Sequence, residues 1–328
     1  MVQLTTKINF MKKIILFIVS FTCFLACREK NIDYQLPFSG EQIVMNSLFI
    51  AGEPFKVNVT HTFQPTGVVP KDIFVGDATV NVFEDGKLKE TLTYDREGFY
   101  LSSQKNKTLA GRKYSVEVIS VKYGKAISNQ VLVPDSKSFF TYQQIPDLDY
   151  SLNRDVPKDQ INVIIQDASS TKNYYGIGFR LKGEKENYGG AWFDLDLERG
   201  SVNEDKNCKF NQTIQLNGES QNVKIFSNQC FSGSNPTFRF VVEKAYYYSE
   251  KVQQVKGGYY RVINPTLRVF KFDEGYIQYL KLKKQPTDFA KAFEEPHTTY
   301  TNVKGGYGII GAATETVQPL IMTCKVCQ

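Results

Sequence analysis

The chain has 328 residues, 40 of them Lys or Arg and 34 Asp or Glu, for a formal net charge of +6, with 41% hydrophobic and 13% aromatic residues. That apolar share is ample for a packed core, and the length suits two domains better than one. Residues 1–26 contain Lys7, Lys12 and Lys13 and no acid, so removing them takes +6 down by three to +3, which leaves no basic footprint for nucleic acid.

Chain order begins with a secretory pattern. Met11, Lys12 and Lys13 precede an apolar run from Ile14 to Ala26, 13 residues long, and a bilayer crossing needs about 20. A positive n-region, an apolar h-region and a small residue before a cut is the order of a signal peptide. Ala26 is that small residue, and Cys27 after it supplies the thiol that a lipoprotein signal requires. Phe24 departs from the usual aliphatic residue three places before the cysteine, and Cys23 has a poorer run before it. Residues 1–26 are therefore expected to be a lipoprotein signal peptide and Cys27 the lipidated residue. The start at Met1 or at Met11 is left open. Residues 27–37 read as a solvated tether, so the protein is expected to be held on a membrane without spanning it.

From Gln42 the pattern alternates with the period of strands. In "DATVNVFEDGKLKETLTY", Ala78, Val80 and Val82 lead into Asp85-Gly86, a type I′ turn signal, and Leu88 and Leu92 return. "GFYLSS" and "GRKYSVEVISV" follow, with Tyr114, Val116 and Val118 on one face and Ser115, Glu117 and Ile119 on the other. Short strands at this spacing predict an immunoglobulin-like β-sandwich over 38–135, with "VLVPDS" as its last strand and exit.

Residues 136–328 are expected to form a second, C-terminal β-sandwich with one short helix, making the chain all-β. The predicted strands are "INVIIQD", "NYYGIGFRLKG", "AWFDLDLERG", "TFRFVVEKAYYYS" and "PTLRVFKF". Asp273 can cap the helix, Tyr276, Tyr279, Leu280 and Lys283 share a stripe, and Pro286 follows its end. "NVKGGYGIIGAATE" then places Gly305, Gly306, Gly308 and Gly311 around a short apolar strand. A phosphate-cradling loop would follow a strand, open a helix and carry a Lys-Ser or Lys-Thr pair, which this stretch lacks. The expectation is that these glycines let the chain bend and pass close to the helix at 273–285, with Ile309 and Ile310 closing the second sandwich.

Four cysteines remain beyond the signal: Cys208, Cys230, Cys324 and Cys327. An even set in an exported chain reads first as disulfides. Cys208 with Cys230 would close a polar excursion, while the pairing of Cys324 and Cys327 stays open between a disulfide, a redox pair and free thiols. A four-thiolate zinc site lacks its second close pair.

"CREKNIDY" before the first strand, "NYYGIGF" shortly after Asp167, and "EGYIQYLKL" through "FEEPHTTYTNVKGGYGIIGA" to "CKVC" together resemble domain of unknown function family 4249, outer-membrane lipoproteins of the Bacteroidota. The resemblance covers the mature chain and is most specific at Glu295-Pro296, Asn302, Gly305, Gly306, Gly308 and Gly311; Ile310 stands where the family often has Phe. It implies an accessory lipoprotein facing the cell surface or the periplasm, often beside a TonB-dependent receptor, and it brings no catalytic residues.

Enzyme chemistry has little support in the residues. His61 and His297 are the two histidines, in no metal-binding spacing, and the common hydrolase motifs are missing. His297 near Glu294 and Glu295 reads as a loop histidine. Asp194, Asp196 and Glu198 share one face of "FDLDLERG", where alternation with Leu195 and Leu197 suits the wet side of a strand better than calcium or glycoside hydrolysis. No catalytic residue, metal or cofactor is expected. Trp192, Tyr246, Tyr247, Tyr248, Tyr259 and Tyr260 are the candidate patch for a partner or ligand. The expected role is a non-enzymatic accessory of an outer-membrane β-barrel, with glycan or peptide capture as the alternative.

Overall fold

A computed structural model describes residues 38–64, 70–103, 105–135, 140–148, 158–166, 171–183, 209–216, 219–230, 237–243, 262–282 and 300–320. Residues 40–63 with 70–328 form the main body, and residues 1–39 with 64–69 a separate small unit. The body is predominantly β, with a large mixed sheet, a three-stranded sheet and one short helix among the described residues.

The first region contains β1 (Ile43–Ile50), β2 (Lys56–His61), β3 (Thr79–Glu84), β4 (Lys87–Tyr94), β5 (Phe99–Leu101), β6 (Lys113–Ser120), β7 (Gly124–Ser128) and β8 (Val131–Leu132). Period-two alternation builds its interior. Val57 and Val59 of β2, Val80 and Val82 of β3, and Tyr114, Val116 and Val118 of β6 are buried together, while Ile119 on the other face of β6 is exposed. The β3–β4 hairpin turns at Asp85 (φ 48°) and Gly86 (φ 82°), both left-handed as a type I′ turn requires. The Asp85 carboxylate adds a cross-link by accepting from Arg112 Nη1 at 3.0 Å and from the Lys113 N–H at 3.2 Å.

The second region contains β9 (Phe140–Leu148), β10 (Lys158–Ile165), β11 (Tyr174–Gly183), β12 (Lys209–Leu216), β13 (Glu219–Ser227), β14 (Thr237–Glu243) and β15 (Val262–Phe272). Strands β14, β10 and β9 form the small antiparallel sheet. Their Ile161, Val163, Phe238 and Phe240 pack on Tyr175 and Ile177 of β11 and Leu267 and Val269 of β15. Alternate residues of those same large-sheet strands, Tyr174, Phe270 and Phe272, face a different cluster, formed with the helix. Each long strand thus buries both faces, one under the small sheet and one under the helix.

The helix α1 (Glu274–Leu282) is only nine residues long, too short to persist by itself. Tertiary burial holds it. Tyr276, Ile277 and Leu280 are buried, and at about 1.5–3 kcal/mol each these contribute roughly 4.5–9 kcal/mol of gross apolar stabilisation. Asp273 caps the first turn by accepting from the Tyr276 N–H at 3.0 Å.

The last two described strands, β16 (Val303–Lys304) and β17 (Gly306–Pro319), correct an expectation from the sequence. β17 is 14 residues long, not a short strand. It lies between β15, antiparallel, and β1, parallel, while β16 pairs with β7. The C-terminal segment therefore completes the sheets of the first region as well as the second. Its side chains alternate accordingly. Ile310 and Ala312 enter the first core beside Ile43 and Met45, whereas Ile309 and Ala313 pack with Tyr276 and Phe272. Ile310 closes the first core, not the second, because parallel pairing with β1 turns every other residue toward that side.

Candidate functional site

The glycine-rich junction is the best-defined constellation among the described residues. Gly305 (φ 74°) separates β16 from β17 and is where the chain leaves the β7 side and joins β1. A Cβ at Gly305 would overlap the Lys125 carbonyl, one at Gly306 the Ile43 carbonyl, and one at Gly308 (φ 110°) the Met45 carbonyl. Backbone, not side chain, fills the space in all three cases. Gly311 is different: a Cβ there would meet the ring of Tyr276, its Cγ at 2.7 Å. The helix contact expected of the four glycines is made at Gly311, whereas Gly308 lies against β1.

Side chains then pin the junction on both sides. Asn302 is buried and its amide pairs with one backbone residue, donating to the Ile310 carbonyl at 2.8 Å and accepting from the Ile310 N–H at 3.0 Å. Asp273 accepts a short hydrogen bond from the Ala312 N–H while its own N–H donates to the Ala312 carbonyl at 2.9 Å. One aspartate therefore caps α1 and fixes it to β17. Burial pushes its carboxyl up to about 6, against the backbone N–H groups of Ala312, Tyr276 and Gly275 that pull it down. Farther along, Glu315 of β17 forms a bidentate ion pair with Arg268 of β15, with one arm at 2.5 Å and both side chains buried. Arg–carboxylate forks of this kind fix register.

The loop opens a strand rather than a helix, so it lacks the helix N-terminus of a phosphate-cradling loop, and the carbonyls of Lys125, Ile43 and Met45 lie against its glycines. It joins two cores mechanically. Asn302, Gly305, Gly306, Gly308 and Gly311, the most distinctive residues of the resemblance, all have a packing role here.

His61 is likewise engaged. It is buried, stacks on Tyr123 with centroids 4.7 Å apart, and its Nδ1 and Nε2 face the carbonyls of Thr62 and Asp72 at 2.9 and 3.2 Å. A carbonyl only accepts, so a neutral ring donates to one of these two oxygens, and its burial against Tyr123 keeps the side chain in the interior rather than on a ligand-facing surface. Among the described residues no three His, Cys, Asp or Glu side chains converge, and no described helix is long and apolar enough to cross a membrane.

The remaining expectations fall elsewhere. Cys27, Cys208, Cys324, Cys327, Trp192, Tyr246, Tyr247, Tyr248, Tyr259, Tyr260, Asp194, Asp196, Glu198 and His297 lie outside the described residues, as does Glu295-Pro296. For Cys230 only the backbone is described, in a 3₁₀ turn over Asn228–Cys230. Two features were missed from sequence. The sequence marks Asp273 as a cap but not as a link to β17, and it gives Asn302 no role. Each bonds across a chain distance, 39 and 8 residues, that no local pattern reveals.

A comparison with curated proteins found no match. The model of a domain of unknown function, DUF4249, matches residues 29–318. That span takes in every described strand from β1 onward and stops within the last of them, so the chain belongs to the DUF4249 family.

Proposed function

We propose that this protein is a lipid-anchored, non-enzymatic accessory of the outer membrane that docks on a β-barrel complex such as a TonB-dependent receptor. The observation that carries the reading is the order Lys12-Lys13, apolar run, Ala26, Cys27, which is the chemistry of a diacylated N-terminus. Membership of the DUF4249 family supports it, since the resemblance carried by the sequence implies an accessory lipoprotein beside a TonB-dependent receptor.

The test is affinity purification of the full chain from native membranes in mild detergent. The expected result is a stoichiometric outer-membrane barrel in the eluate. Recovery of a lone acylated monomer, at protein concentrations where the membrane fraction is saturated, would count against docking. Glycan or peptide binding by that monomer would replace it with a capture role.

A further inference from the structure

The end of the body at which residue 40 joins residue 39 carries an exposed apolar surface that the proposed docking does not use. Glu41 accepts an ion pair from Lys122 at 3.2 Å, which places the β6–β7 turn (residues 121–123) beside the point where the N-terminal segment leaves the body. Val121 in that turn is 100% exposed. Ile119 (42%) and Ile127 (39%) are exposed on the hairpin behind it. Ile119, on the outer face of β6, pairs with Lys125, and Ile127 pairs with Glu117 and Lys304. The aliphatic surface is therefore rimmed by Lys122, Lys125 and Lys304, with Lys122 lying 4.6 Å above the Tyr123 ring. Lys125 is held by Glu117 at 2.6 Å.

We propose that this hairpin is a membrane foot: Val121, Ile119 and Ile127 insert at the headgroup boundary of the bilayer, and the surrounding lysines sit among the phosphates. The proposal rests on lipidation of Cys27. Thirteen peptide steps separate Cys27 from Gly40, a reach of at most about 45 Å, and the tether attaches at the hairpin end of the body. Short apolar protrusions flanked by lysines match an interface where hydrocarbon meets anionic phosphate, because lysine stems cover apolar surface while their ammonium groups stay wet. Like other peripheral contacts, the foot would add little affinity beside the acyl chains. It orients the body, presenting the far end of the sandwich away from the bilayer.

The experiment uses the full acylated chain with Trp192→Phe and Val121→Trp, reconstituted into vesicles of phosphatidylethanolamine and phosphatidylglycerol brominated on their acyl chains. Leu88→Trp in the same background is the reference, because Leu88 is also exposed but lies near the opposite end of β3, past the Glu84–Lys87 turn. The expected result is a blue-shifted emission at position 121 that loses most of its intensity to bromine, with position 88 unchanged. Equal, weak quenching at both positions on vesicle-bound acylated protein overturns the foot and leaves the anchor standing. Shielding of position 121 from iodide only in native membranes, without bromine quenching in plain vesicles, also overturns it by assigning the surface to a protein partner. Mass spectrometry of the same sample reads the N-terminus: no acyl group on Cys27 sinks the anchor and the foot together.

Discussion

Substituting Gly308 with alanine tests the junction most directly. Two costs are readable from the structure. At φ 110° the backbone is in a region that only glycine adopts readily, and holding another residue there costs about 1–3 kcal/mol. The new Cβ would also overlap the Met45 carbonyl of β1, and overpacking of this kind costs about 1–3 kcal/mol because a strand cannot swing aside as a side chain can. Together these predict a loss of about 2–6 kcal/mol, at roughly 2–4 °C of melting temperature per kcal/mol for a domain of this size. The location of the damage is the sharper test. Because β17 lies between β1 and β15, hydrogen exchange should quicken in Ile43–Ile50 as well as in Gly306–Pro319. Quickening confined to β17, α1 and β15, with β1 protected as before, would refute the idea that the strap joins both cores. Gly311→Ala is the matched control: its clash is with the Tyr276 ring, so Tyr276→Leu should relieve part of the cost, whereas no side-chain change should relieve Gly308→Ala.

Cys27→Ala should remove acyl mass from the mature N-terminus and release the protein from the membrane fraction; unchanged fractionation with no acyl group on the wild type would show the anchor to be wrong. Non-reducing peptide mapping should find Cys208 linked to Cys230, and two free thiols in protein purified without reductant would rule that pairing out. Asp273, pushed up to about 6 from an ordinary 3.8, contributes stability that is complete below the unfolded value and lost as pH rises through about 6. The stability of wild type minus that of Asp273→Asn should therefore fall between about pH 4 and pH 7. A difference that rises over that window would mean that the backbone donors hold the carboxylate ionised.

What could be read from the sequence was mostly local. Asp85-Gly86 announced its hairpin because a type I′ turn needs two left-handed residues in succession. The inward row Tyr114, Val116 and Val118 followed from the strand period, and the α1 cap from an aspartate before an apolar stripe. Long-range pairing was hidden. Nothing in "GGYGIIGA" says that its strand runs parallel to one more than 250 residues earlier in the chain, since a parallel neighbour leaves no turn between the two segments to read. The glycines were visible but their partner was not. A close backbone approach demands glycine without naming the carbonyl it approaches, so the sequence points all four glycines at the helix although Gly308 belongs to Met45.

The same distinction bears on where function should be sought. Gly305, Gly306 and Gly308 sit against carbonyls of β7 and β1 and Gly311 sits under Tyr276, while Asn302 spends both ends of its amide on Ile310. Substitution at any of them breaks a strand junction before it touches a ligand. A chain that retains these residues has therefore retained a way of joining two cores, and that says nothing of what the joined body binds. Surfaces free of such duties are better candidates for recognition, and the hairpin at 119–127 is one: Val121 contributes nothing to either core, so its exposed aliphatic side chain is there at some cost to solubility and no gain in stability. Replacing it should leave the fold intact and change only how the body meets its surroundings, the opposite of what Gly308 predicts.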